Sequence, residues 1–106
     1  MGRIVIAAYK PKPGQSEALK ELMQVHLPIL KSQGLVTNRD SIMMEAEDGA
    51  VIEVFEWVSS KAVEAAHSNP VVLEMWEQFE KVCDYIPVGE VPEISQLFSQ
   101  FTPLKV

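Results

Sequence analysis

The chain has 106 residues, a formal net charge of −6 and a single cysteine. That length makes one domain spanning residues 1–106, able to bury ~65% of the surface its unfolded form would expose. An acidic chain with scattered Lys and Arg cannot neutralise a phosphate backbone, which argues against nucleic acid as a partner. No apolar run approaches the ~20 residues needed to span a bilayer, which argues against a membrane role. The lone Cys83 excludes an internal disulfide and suits a reducing cytoplasm. The N-terminus carries no signal-peptide pattern, and Ile6 stands where myristoylation requires Ser or Thr.

Arg3–Tyr9 reads as a first strand, β-branched at its centre and closed by Lys10-Pro-Lys-Pro-Gly14. Val5, Ala7 and Tyr9 point one way and Ile4, Ile6 and Ala8 the other, so both faces are apolar. Gln15–Gln33 is an amphipathic helix with Leu19, Leu22, Met23, His26 and Leu30 on one stripe. Gly34 supplies its left-handed end, and Pro28 should bend it near Gln24.

Leu35–Glu47 is expected to form a long second strand, and Asp48-Gly49 a hairpin turn into a third, Val51–Val58. A two-residue turn there sets Glu45 opposite Ile52 and Met44 opposite Glu53. Glu53 shares a face with Val51, Phe55 and Trp57. Asn38, Arg39 and Asp40 fall beyond the simple hairpin, where they are expected to form an interfacial polar network across a dimer.

Ser59 or Ser60 caps a short helix ending near His67, and Asn69-Pro70 starts another as cap and first helical residue. Val72, Trp76, Phe79 and Cys83 make the inward stripe of that helix. Pro87, Gly89 and Pro92 mark a loop, and Leu97–Val106 can form a final strand, with Pro103 indicating an edge.

A β-α-β-β-α-β order predicts an α+β, ferredoxin-like fold: an antiparallel sheet with both helices on one face. A chain this short is expected to leave the other apolar face bare. Burying ~600 Å² there would contribute ~15 kcal/mol before entropic costs, which favours a C2 homodimer.

Several features resemble the antibiotic-biosynthesis-monooxygenase domain of the dimeric α/β-barrel superfamily, across nearly the whole chain. They are Lys12-Pro-Gly14, His26, Gly34-Leu35, Glu56-Trp-Val-Ser59, Ala66-His67, and Phe98–Phe101 with Pro103. The resemblance implies a homodimer with facing sheets and a small-molecule pocket between sheet and helices in each subunit. It implies a cofactor-independent monooxygenase acting on a small aromatic or quinone-like metabolite. The same scaffold also serves non-catalytic small-molecule-binding and dimerisation domains, which is the alternative reading. The haem-degrading branch uses an asparagine on its first strand, and Arg3–Tyr9 has none.

Two residues are candidates for proton transfer. His67 ends a short helix, either as a general acid/base or as a capping ring bonded to a backbone carbonyl. Glu53 is a carboxylate on an otherwise apolar face, either a buried base or part of a polar network. His26, Trp57, Trp76 and Phe79 are candidate substrate-binding residues, although a histidine or aromatic at such spacing is ordinarily core. No His-x-x-x-His, Cys-x-x-Cys, glycine-rich phosphate loop or flavin fingerprint occurs, so neither metal nor cofactor is expected.

Overall fold

The computed structural model describes residues 2–104. Its five strands form one antiparallel sheet in the order β4-β1-β3-β2-β5. The strands are β1 (Arg3–Pro11), β2 (Ile42–Glu45), β3 (Val51–Trp57), β4 (Cys83–Ile86) and β5 (Thr102–Pro103). The helices are α1 (Ser16–Ser32), α2 (Ser60–Ala66) and α3 (Pro70–Val82). The first four strands with α1 and α3 make the ferredoxin-like unit that the element order predicts.

Local chemistry sets most boundaries. Gly34 takes φ +69° after α1, and the Leu35 N–H returns to the Leu30 carbonyl at 3.1 Å, closing the helix. Pro28 lies inside α1, which runs on through it. Ser59 caps α2 by accepting from the Ala62 N–H, and the Asn69 side chain accepts from Val71 and Val72 at the start of α3.

Four expectations about the strands and their boundaries need correction. The second strand is much shorter than Leu35–Glu47. Val36 makes an isolated bridge to Trp57, after which five residues on that side face two on β3 before pairing resumes at Ile42. The surplus loops out, and Glu56 holds it: the Thr37 hydroxyl and Arg39 Nε both donate to Glu56 Oε1, at 2.9 and 3.1 Å. Arg39 thus pairs within its own chain, while Asn38 and Asp40 are exposed.

The hairpin register is shifted by one residue, with Met43 opposite Glu53 and Glu45 opposite Val51. Ala46 N–H bonds the Ala50 carbonyl, leaving a three-residue loop of Glu47, Asp48 and Gly49 with Gly49 at φ +92°. Such a loop ends in a left-handed glycine, where the expected tight turn has two residues. Asp48 Oδ1 accepts from the Ala50 N–H, and this bond draws the Asp48 carboxyl below its ordinary range.

Third, Cys83 is not the last inward position of the helix. The helix stops at Val82, and Cys83 opens β4 beside Pro11 of β1. Fourth, of the expected final strand Leu97–Val106, only Thr102–Pro103 is strand, an edge pairing with β2; residues 105–106 lie outside the described residues.

Both faces of the sheet are used. On the inner face, α1 and α3 bury Leu19, Met23, Leu30, Val72 and Phe79 against Tyr9, Val51 and Phe55. The outer face is half covered by the chain itself, contrary to the expectation that it stays bare. After β4 the chain crosses that face in two 3-10 turns, Val88–Glu90 and Pro92–Ser95. Val91 and Phe101 pack there on Ala8, Ile52 and Met44. The remainder stays open: Ile4 is 58% exposed, Ile6 54% and Ile42 60%. Among the described residues no helix is long and apolar enough to cross a membrane.

Candidate functional site

The register of β1 on β3 places Ala7 opposite Glu53, Val5 opposite Phe55 and Arg3 opposite Trp57. Strand alternation then turns Val5, Ala7 and Tyr9, together with Glu53, Phe55 and Trp57, towards the helices. Val5 and Ala7 are small, so the aromatics around them do not close up. A cavity of about 360 Å³ remains over them, walled by Trp57, His26 of α1, His67 at the end of α2, Trp76 of α3 and Tyr85 of β4. Its size and apolar lining are those of a small-molecule site.

One polar cluster interrupts this apolar surround. Glu53 is fully buried. Tyr9 is its diagonal neighbour across the strands, and the Tyr9 hydroxyl donates to Glu53 Oε1 at 2.9 Å. His26 is 4% exposed, and its Nδ1 stands 2.9 Å from the same oxygen. That approach lies off the ring N–H direction, so Nδ1 makes a close contact without a hydrogen bond, and Glu53 Oε2 is buried with no partner at all. A buried carboxyl oxygen without a donor costs about 1–3 kcal/mol, a cost that stable folds rarely carry outside working sites.

Aromatic rings fix the cluster in place. The His26 ring stands edge-on to Phe55 and Phe79, with centroids 5.5 and 5.3 Å away. Tyr9 packs on Phe79 at 5.6 Å and on Tyr85 at 5.6 Å. Burial first, then the adjacent Glu53 carboxyl, push the Tyr9 phenol well above its ordinary range, so Tyr9 remains a donor.

The candidates singled out by sequence fall into three positions. His26, Trp57, Trp76 and His67 line the cavity, and Glu53 and Phe79 lie behind its wall. Phe79 supports Tyr9 and His26 from beneath. His67 is exposed at the rim, its Nδ1 2.9 Å from the Val63 carbonyl and its ring 5.1 Å from Trp76. It therefore caps α2 and faces the cavity at once. Tyr9 and Tyr85 escaped the sequence reading. Only the β1–β3 and β1–β4 registers bring them to the site. Among the described residues no three His, Cys, Asp or Glu side chains gather where a metal ion could be held.

Three acids share one direction of shift, two of them buried and the third, Tyr85, half-exposed. Burial is the largest cause for each: it raises Tyr9 and Tyr85, and it lifts the Cys83 thiol to about 11. A raised pKa in the folded state means that the unfolded chain ionises first. The stability these groups contribute is therefore present below their ordinary values of 9.0 for the thiol and 10.0 for the phenols. It is lost as pH climbs through the folded values. Urea midpoints should accordingly hold near pH 8 and fall steadily above pH 9; an unchanged midpoint at pH 10.5 would contradict the burial of this cluster.

Together these features define a ferredoxin-like α+β domain with an apolar cavity over a buried carboxyl–imidazole–phenol cluster. Among solved structures it is similar to Rv0793 from Mycobacterium tuberculosis, with a TM-score of 0.64 and 19% identity over 81% of this chain and 89% of that one. At that identity the likeness carries the fold alone. No protein-family model and no curated protein sequence matches the chain.

Proposed function

We propose that the chain is a homodimeric, cofactor-independent monooxygenase of the antibiotic-biosynthesis type, acting in the cytoplasm on a small aromatic or quinone-like metabolite. The observation that carries this reading is the buried Tyr9–Glu53–His26 cluster set against an otherwise apolar cavity. Such a site can take a proton from a flat, greasy substrate while keeping water from the carbanion.

The chemistry closes without a cofactor because the substrate supplies the electrons. An anthrone-like C–H loses its proton to the site, and the carbanion passes one electron to O2. The two radicals combine into a C–O bond, giving a peroxide. Protonation and loss of water leave a quinone carbonyl, with one oxygen atom in the product and the other in water.

Oxygen consumption by the purified protein with anthrone or a naphthohydroquinone is the test. Saturable uptake is expected, one O2 per anthrone converted to anthraquinone. Uptake no faster than in protein-free buffer rejects the enzyme, and tight binding of those compounds without uptake establishes the non-catalytic binding domain instead.

A further inference from the structure

We propose that His26, and not the more accessible His67, is the catalytic base, with Glu53 and Tyr9 behind it as positioning residues. This rests on the oxygenase reading above and deepens it. The argument begins with which polar atoms a substrate can touch. Glu53 forms no part of the cavity wall, and its Oε1 is already occupied by the Tyr9 hydroxyl and the His26 ring. A substrate therefore meets His26 and cannot meet the carboxyl directly.

The tautomer follows from the contact. Glu53 Oε1 accepts from the Tyr9 hydroxyl, and a bare nitrogen lone pair 2.9 Å from that accepting oxygen would be repelled, which assigns the hydrogen to Nδ1. Nε2 then holds the lone pair. It lies on the opposite edge of the ring, is not among the buried atoms lacking a partner, and is the polar atom that His26 offers to the cavity. His67 presents a similar ring, pinned through Nδ1 to the Val63 carbonyl, but it sits in water at the mouth. A carbanion generated there would be reprotonated by solvent.

Charge compensation separates the two histidines further. When Nε2 takes a proton, the imidazolium forms against Glu53 in surroundings with few other polar atoms, where the attraction is weakly screened. His67 has only a neutral carbonyl behind it. The titratable groups facing His26 are Tyr9 from β1 and Glu53 from β3, with Tyr85 of β4 and His67 of α2 around the same cavity; α3 sets Phe79 against the His26 ring and Trp76 on the cavity wall, neither of which titrates. Tyr9, held in its protonated form, can lock the carboxyl but cannot accept the proton. In the reaction the substrate C–H proton moves to Nε2 while its electron pair stays on carbon. After O2 has added, the imidazolium returns that proton to the distal peroxide oxygen. The O–O bond then breaks, the carbon gives up its second hydrogen as C=O forms, and the distal oxygen leaves as water carrying both hydrogens.

Steady-state kinetics with anthrone, together with 15N NMR of the histidine rings, test the assignment. His26→Gln is expected to lower kcat about 100-fold or more with little change in KM, as general-base removal does. It should cost more than His67→Ala, and added imidazole should restore part of the activity of His26→Gly. Glu53→Gln should lower kcat, and Glu53→Asp should recover some of it. Wild-type kcat in His26→Gln, or a larger loss in His67→Ala, overturns the assignment. The wild-type spectrum judges it even where a variant does not fold: hydrogen on Nδ1 supports it, and hydrogen on Nε2 overturns it. If wild-type protein consumes no O2, the assignment falls together with the oxygenase reading, whereas O2 uptake by wild type with an unchanged kcat in His26→Gln overturns the assignment alone.

Discussion

Phe79→Ala is expected to lower the unfolding free energy by about 3–5 kcal/mol, the range for truncating a fully buried phenylalanine. Phe79 is wholly inaccessible, and it packs against two other elements at once. Its ring lies 5.6 Å from Tyr9 on β1 and 5.3 Å from His26 on α1. Removing it leaves a hole under both, and neither neighbour can collapse into it: the hydroxyl of Tyr9 is tied to Glu53 and His26 is wedged against Phe55. The loss should therefore fall near the top of the range. Val71→Ala, on the exposed side of the same helix, should change stability by less than about 0.5 kcal/mol. Urea unfolding at one fixed protein concentration checks both, since association would make the midpoint depend on concentration. A loss near 1 kcal/mol for Phe79→Ala would mean that the aromatic cluster relaxes and does not hold the site rigidly.

The same residue shows where sequence reasoning stops. Periodicity put Phe79 and Val72 on the inward stripe of α3 correctly, because burial of one helix face is a property of the helix itself. It also carried that stripe one residue too far, to Cys83. A buried residue at the next inward position looks the same whether the chain is still helical or has begun a strand. The overlong second strand has a similar cause. Leu35 and Val36 are buried and Val36 does bridge to Trp57, but nothing local announces that residues 37–41 loop out onto Glu56. The hairpin was visible in Asp48-Gly49, whereas its register depended on whether the loop held two residues or three, and a one-residue slip changed the neighbour of Glu53 from Met44 to Met43.

At the site, each of Glu53 and His26 stood out by being polar on an apolar face. Their pairing did not, because α1 and β3 are joined through no short turn whose geometry could be read. Tyr9 drew no notice at all: a tyrosine on an apolar strand face is ordinary, and only the diagonal placement across β1 and β3 gives its hydroxyl a carboxyl to meet. Faces are written in the chain, and depth along those faces is set by packing between elements.

Ile6→Glu is expected to convert the proposed dimer into single, folded subunits. Three side chains on the open half of the outer face lie in one row across the sheet: Ile6 of β1 and Ile42 of β2 are both registered on Val54 of β3. The adjacent row, Ala8, Ile52 and Met44, is already covered by Val91 and Phe101 of the same chain, so the row through Val54 is where a second copy would gain apolar cover. Leu97 and Phe98, 92% and 78% exposed on the segment that follows the 3-10 turns, add apolar surface that the subunit does not use. Position 6 is solvent-facing in the isolated subunit, so the substitution should leave the fold intact, as a circular dichroism spectrum would confirm. In a dry contact between two sheets, however, each new carboxylate loses several kcal/mol of hydration with no partner to replace it. Two such losses weaken association by a factor of about a thousand or more. Sedimentation equilibrium at micromolar concentration should then give one subunit's mass for Ile6→Glu and twice that for the parent chain. A parent chain that sediments as one subunit would remove the homodimer from the proposal. A variant that stays paired would move the interface away from the row through Val54.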